Sequence, residues 1–382
     1  MERTLMEPEH RDFRESFRAF MAAHIAADFK QWEERGIVPR ELYREAGRRG
    51  FLAFEVPPEY GGAGVEDFRF NVVIGEEAHG AGYTGFAAGI TLHNDVCLPY
   101  FTEYATAEQR ERWLPGIASG ELFTAIALTE PQTGSDLAGI ATRAEPVDGG
   151  YLVNGSKTFI TNGLNAELVI TAVRTSKEER HAGLSLLVIS SDTPGFSHGR
   201  NLEKIGMHSQ DTAELFFEDM FVPSENLLGE EGRGFYQLTS NLPRERLSIA
   251  VAAVASAQAT LAWTLEYVRT RKAFGQPIGS FQNSRFVLAE LHADVTLAQT
   301  FVDLCTERLD SGQLTPQDAA IAKWWSTELQ GRVVDRCLQL HGGYGYMTEY
   351  PVARAFMDAR VSRIYGGTTE IMKEIVARGL GL

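Results

Sequence analysis

Twice along this chain the spacing of apolar residues changes, from helical to period two near Phe123 and back again after Val222. A helix cannot bury an alternating face, nor a strand a 3.6-residue stripe, so the order of structure must be α, then β, then α. The central stretch spans about a hundred residues, the size of one domain. Within it, residues 167–173, 184–190 and 213–221 read as strands, and Pro194-Gly195 as a turn. Asn154-Gly155, between Tyr151-Leu-Val and Lys157-Thr-Phe-Ile, is a two-residue hairpin signal.

Upstream, Phe13, Phe17, Phe20 and Met21 recur at helical spacing, and Leu42, Ala46 and Leu52 do so more loosely. Pro57, Pro58 and the glycines from 61 to 64 break the pattern. Residues 68–79 read as a helix, and 95–104 and 107–114 as short ones, with Thr106 as N-cap. Downstream, helices are expected from Pro243 to about 272, over 282–309 and 316–340, and from Thr368 or Thr369 to Gly379. Their apolar residues cover most faces, which predicts a buried bundle.

At 382 residues, two or three packed units are expected. The net charge of -15 lacks the basic face of a nucleic-acid binder, although a few arginines could still hold an anionic ligand. Cys97, Cys305 and Cys337 have no CxxC spacing, so neither a disulfide framework nor a metal site is expected. The N-terminus is charged where a signal peptide is apolar, no apolar run approaches a membrane span, and the tail carries no lipidation or peroxisomal signal. A cytoplasmic location is expected.

The familiar nucleotide fingerprints are absent. Gly229-Glu-Glu-Gly232-Arg-Gly234 follows a loop rather than a strand, and Gly342, Gly343 and Gly345 fail the same test. His341 reads as a last-turn helix residue. Three other segments carry chemistry. An apolar strand from Ala125 breaks into Thr129-Glu-Pro-Gln-Thr-Gly-Ser-Asp136, whose hydroxyls and amides suit a heterocycle and a phosphate, or else make a polar turn. Lys157-Thr-Phe-Ile-Thr-Asn-Gly163 puts Phe159 and Thr161 on one strand face. Leu340-His-Gly-Gly-Tyr-Gly-Tyr346, with Ile364-Tyr-Gly-Gly-Thr-Thr-Glu-Ile371, is too rich in glycine and aromatics for a mere connector. The stretch Asn241-Leu-Pro-Arg-Glu-Arg-Leu247 opens the longest helical pattern, so Glu245 reads locally as a first-turn charge favoured by the helix dipole.

Together with Arg271-Lys-Ala-Phe-Gly275, these segments resemble the acyl-CoA dehydrogenase family over nearly the whole chain, most closely its long-chain branch. The resemblance implies an α+β fold: a helical N-terminal domain over 1–121, a barrel-like middle β domain over 122–229 and a C-terminal four-helix bundle over 230–382. It also implies a homotetramer, one FAD per subunit, an acyl-CoA substrate and an electron-transferring flavoprotein as acceptor. Leu128 and Thr129 would meet the flavin pyrimidine edge. Gly134 would offer its amide, and Ser135 would meet a phosphate or the acyl-CoA chain. Phe159 would lie against the isoalloxazine, and Thr161 would point at N5. Arg271, Phe274, Gln282, Gln339, Gly342 and Gly343 would bind the FAD of a neighbouring subunit. Thr368 and Glu370 would contact FAD at the last helix, and Arg246, Tyr365 and Gly367 would border the thioester.

One position departs from the common pattern. Many members place the catalytic glutamate directly after the tyrosine of the IYEGT segment, where this chain has Gly366. The long-chain and isovaleryl branches place it on the helix that begins at the LPRER segment, and the matching residue is Glu245. The implied reaction is α,β-dehydrogenation, with Glu245 taking the α-proton and flavin N5 the β-hydride. The Gly366 amide would bind the thioester oxygen, a donor of a kind worth about 3–4 kcal/mol. Burial would raise the carboxyl's pKa, while Arg244, Arg246 and the helix dipole would lower it. Carrier-bound, branched or dicarboxylic acyl thioesters, an oxidase, and a non-catalytic flavoprotein are the alternatives.

Overall fold

The computed structural model describes residues 3–176 and 181–382. Its N-terminal helices are α1 (Pro8–His24), α2 (Phe29–Arg35), α3 (Arg40–Arg48), α4 (Phe68–Gly80), α5 (Thr84–Thr91), α6 (Leu98–Tyr104) and α7 (Ala107–Ser119). Aromatic residues fill their core, with Phe17, Phe20, Tyr43, Phe86 and Phe123 all buried. Helix α7 starts where expected. The Thr106 hydroxyl accepts from the Gln109 amide at 3.3 Å, and the Thr106 amide donates to the Gln109 side chain at 3.0 Å. Between α5 and α6 runs a π-helical segment, Leu92–Cys97, continuous with both.

The middle domain is one hydrogen-bonded sheet. Its strands are β1 (Thr124–Ala127), β2 (Arg143–Val147), β3 (Gly150–Thr161), β4 (Leu168–Arg174), β5 (Leu184–Ser190), β6 (Phe196–Asn201), β7 (Thr212–Pro223) and β8 (Leu227–Leu228). The strand order is β6-β7-β3-β2-β4-β5-β8, with β1 parallel to β4. Ala125, Val153, Val169, Leu187 and Leu215 share a single core although their strands are spread across that order, so the sheet wraps around it. Strands β4 and β5 are buried on both faces. Val169 and Val173 enter that core, while Leu168, Ile170 and Ala172 pack with α6 and α7.

The hairpin expected at Asn154-Gly155 is not there. Strand β3 runs straight through it, and the reversal falls at Asp148-Gly149, where Val147 pairs with Gly150. Asn154-Gly155 instead lies at a register shift against β7. Glycine is required there by close approach, because a Cβ on Gly155 would lie 2.8 Å from Thr142 Cα.

The C-terminal bundle contains α8 (Gly234–Thr270), α9 (Gln282–Asp310), α10 (Pro316–His341), α11 (Pro351–Ala359) and α12 (Thr369–Gly379), with a short ribbon of β9 (Lys272–Ala273) and β10 (Gln276–Pro277) after α8. Leu247, Val254, Leu261, Leu291, Val302, Leu329 and Val333 interlock as its core. Helix α8 corrects two expectations. It begins nine residues before Pro243, which is internal, so Glu245 lies in the fourth turn, beyond the reach of the terminal dipole. The missing proline N–H removes only the bond to the Thr239 carbonyl, and buried Leu238, Asn241 and Leu247 hold the helix on either side. By length and composition α8 could also cross a membrane, but its most apolar window is mostly buried in this protein.

One carboxylate joins all three domains. Asp358 on α11 accepts from Thr84 Oγ1 of α5 at 2.6 Å and from the Met207 amide of the middle domain at 2.5 Å. Burial pushes its pKa up to about 6. Gly206 leaves room for this contact, since a Cβ there would lie 2.6 Å from the Met357 carbonyl carbon.

Candidate active site

Strand β1 ends at Ala127, Leu128 and Thr129 follow it half-buried, and the chain then leaves the sheet through exposed Gly134 and Ser135. Across from it, β3 is irregular between Lys157 and Ile160. Phe159 sits in this irregularity at φ 60° with its ring 67% exposed, Ile160 is buried, and Thr161 is half-buried. Phe159 and Thr161 thus both face away from the core, but a bulge turns Phe159 outward rather than a regular pleat.

A contact that sequence reasoning missed fastens the two segments together. Lys157 and Glu130, both buried, pair at 2.8 Å. Lys157 Nζ also donates to the Leu128 carbonyl at 3.2 Å, and the Thr158 amide donates to the Thr129 carbonyl at 2.9 Å. The Ala141 and Thr142 amides complete the carboxylate's shell at 2.7 and 2.8 Å. Burial lowers the Lys157 pKa to about 8, whereas Lys157 and these amides hold Glu130 below its ordinary value despite burial. No local signal marked the pair, because Asn154, Ser156 and Thr158 make Lys157 one of several polar residues in β3. Asn162 is a buried hub that donates to the Gly89 and Thr124 carbonyls at 3.1 and 3.2 Å.

The second cluster lies around Glu245. Tyr100 of α6 donates its hydroxyl to Glu245 Oε1 at 3.0 Å. The residue is only partly accessible and closely crowded by protein. Desolvation therefore raises its carboxyl pKa to about 7, against the opposing effects of Tyr100 and Arg246. Arg244 contributes little because it turns away to pair with Glu55 and to lie over the Phe68 ring.

One turn beyond Glu245, on the same face of α8, Ile249 meets the loop 365–367. Gly366 has φ +62°, and a Cβ on it would collide with Ile249 Cδ1. The loop's carbonyls face cations: Arg246 Nε approaches Gly366 O at 3.5 Å, and buried Lys323 donates to Gly367 O at 2.6 Å. Among the described residues, the Gly366 amide donates to no protein acceptor. Tyr365 is partly exposed beside it. Thr368 caps α12, accepting from the Ile371 amide at 3.4 Å, and Glu370 is exposed in the first turn.

A third group gathers at the far end of the bundle. Arg271 lies 5.2 Å over the Tyr344 ring and lines one surface depression with Gln339, Gly342 and Gly343. Phe274, 95% exposed, packs edge-on to Phe281 beside Gln282 at the start of α9. Along α8, Arg271 lies about 39 Å beyond Glu245, at 1.5 Å per residue. His341 ends α10 with its ring against Tyr267 at 4.2 Å.

The chain matches the N-terminal, middle and C-terminal domains of acyl-CoA dehydrogenase over residues 7–121, 125–220 and 232–381. It belongs to the acyl-CoA dehydrogenase family. It is 44% identical to the long-chain specific acyl-CoA dehydrogenase, mitochondrial, of Rattus norvegicus, over 98% of this chain and 87% of that one. The acyl-CoA dehydrogenase of Geobacillus kaustophilus superposes with a TM-score of 0.97 at 48% identity, covering 99% of both chains. A glutaryl-CoA dehydrogenase of Mycobacterium smegmatis in complex with FADH2 gives 0.91 at 25% identity, over 98% of this chain and 95% of that one.

This acyl-CoA dehydrogenase is accordingly an FAD-dependent oxidoreductase acting on CH–CH groups. The residues present suit the cofactor. Phe159 offers an uncovered ring face beside the hydroxyls of Thr129 and Thr161, and a Cβ on Gly342 or Gly343 would meet nothing within 4 Å.

Proposed function

We propose that the chain oxidises a fatty acyl-CoA to the trans-2-enoyl-CoA, with Glu245 removing the α-proton. Bound FAD supplies the acceptor for the β-hydrogen. The observation that carries this reading is a crowded carboxyl with a pKa of about 7, on the helix face that meets a glycine loop with an unused amide. A base poised near the working pH takes a weakly acidic proton more readily than an ordinary carboxylate.

The Gly366 amide donates to the thioester oxygen, where enolate charge develops. Arg246 holds the same residue by its carbonyl, and Lys323 holds the carbonyl of Gly367, so the loop that carries the donor keeps its place as charge builds. Tyr365 and Gly367 border the thioester, and Ser135 lies toward the CoA end.

Leu128, Thr129, Gly134, Phe159, Thr161, Thr368 and Glu370 hold the flavin of their own subunit. Arg271, Phe274, Gln282, Gln339, Gly342 and Gly343 serve a neighbour's, which the long separation along α8 supports. The assembly is then a homotetramer, and an electron-transferring flavoprotein takes the electrons. Long acyl chains are the preferred substrates, on the likeness to the long-chain relative.

The test is anaerobic mixing with palmitoyl-CoA. The wild type bleaches its flavin, and Glu245→Gln keeps the flavin but stays yellow. Bleaching of that variant at near wild-type rate overturns the assignment.

A further inference from the structure

Among the described residues Glu245 has one hydrogen-bond donor, Tyr100, and that phenol is wholly buried. Its place depends on the π segment. A π turn closes from residue i to i+5, so it holds one residue more than an α turn. Everything after it is rotated by about 100° relative to an uninterrupted helix. With Leu92–Cys97 wound as α-helix, Tyr100 would leave the α8 face and Glu245 would lose its donor.

Three consecutive side chains hold the segment in that winding, each against different elements. His93 Nδ1 accepts from the Thr124 amide of β1 at 3.2 Å, which leaves Nε2–H to donate to the Ile117 carbonyl of α7 at 3.1 Å. Asn94 accepts from the Ala53 amide at 2.8 Å and donates to the Phe51 carbonyl at 3.0 Å. Asp95 accepts from Asn71 of α4 at 2.6 Å and from the Ser248 hydroxyl of α8, three residues beyond Glu245. The carboxylate and its donor are thus pinned to each other through two separate contacts between the π-wound helix and α8.

We propose that Tyr100 is the positioning residue for the base: its hydroxyl fixes one carboxylate oxygen of Glu245, so that the other, Oε2, faces the substrate α-carbon. The inference rests on the reading of Glu245 as base. The charged and titratable groups near Glu245 are Tyr100 on α6, Arg246 on α8 and Cys97 at the end of the π segment, with Arg244 turned away toward Glu55. Of these, Tyr100 alone donates a hydrogen bond to it.

The experiment is single-turnover flavin reduction by palmitoyl-CoA across pH, using the FAD-loaded enzyme. Tyr100→Phe removes a donor to a charged acceptor, so the acidic limb should move up by about one pH unit, with a roughly fivefold slower rate at about pH 7 and a roughly tenfold slower one well below it. Its flavin content and melting temperature should stay near wild type. Replacing Tyr100 with 3-fluorotyrosine strengthens the donor and should move the limb the other way, and this arm decides alone if Tyr100→Phe does not fold. An unchanged limb, or the same direction in both variants, overturns the role of Tyr100. Normal reduction by Glu245→Gln overturns the base reading instead, so the two failures are distinct.

Discussion

Ile249 occupies the space that a side chain on residue 366 would need. The backbone at Gly366 is left-handed as well, at φ +62°. The two constraints are independent: the Ile249 contact blocks a carboxylate at that loop position, and the left-handed backbone adds strain to any side chain there. Position 245, one turn away on the same helix face, is free of them.

Moving the base should therefore fail unless both residues change. Glu245→Gln with Gly366→Glu should show no flavin reduction by acyl-CoA and a lowered melting temperature. Adding Ile249→Ala should restore part of the stability and a measurable rate. Full activity in the double variant would contradict the packing described here.

The Lys157–Glu130 pair should govern cofactor retention. Lys157→Met leaves Glu130 buried without its cation, a change that typically costs about 3–5 kcal/mol. Urea unfolding should detect that loss, and the purified protein should carry far less flavin per chain. Because the pair joins the Thr129 loop to the Phe159 bulge, flavin loss should exceed that of an equally destabilised variant in α1.

The Glu245 carboxyl gives a pH dependence of known sign. Its folded pKa, about 7, lies above the ordinary 4.5, so the folded state prefers the protonated form. Its contribution to stability is fully present below about pH 4.5 and is lost as pH rises through 7. Relative to Glu245→Gln, the wild type should thus lose at most about 3 kcal/mol across that window. Flavin reduction should run the opposite way, rising with pH toward a plateau above about 7, since only the carboxylate accepts a proton. Denaturant titrations and stopped-flow mixing across pH check the two slopes.

If Arg271 and Phe274 serve a neighbouring subunit, flavin binding should depend on protein concentration. Dilution should release FAD with a rise in its fluorescence, and Arg271→Ala should shift that midpoint to higher protein concentration. Flavin retention that is independent of dilution and unaffected by Arg271→Ala would place these residues outside the cofactor site.

Much of the architecture was legible because local and tertiary preferences agree. The runs in β4 and β5 are mostly apolar because both faces are buried, and Thr106 and Thr368 cap helices where their hydroxyls predict. Legibility failed where a short motif had two uses. Asn154-Gly155 suits a hairpin or a bulge, and the Thr142 backbone pressed against Gly155 selects the bulge. Pro243 suits a first turn, but buried side chains on both flanks carry α8 through it. The pairs Lys157–Glu130 and Tyr100–Glu245 were invisible for a different reason. Each joins residues far apart in sequence, and neither partner has a local pattern that marks it.

The Asp358 contact bears on the order in which the chain can fold. Its carboxylate is buried among groups from the two other domains, so docking α11 before Thr84 and Met207 are in place would strand an unsatisfied acid. Docking of helix α11 is therefore favourable only once both partners are in place, as with a latch. A ribosome releases the C-terminal segment after the two domains that must receive it, so the direction of synthesis already matches the order this latch demands.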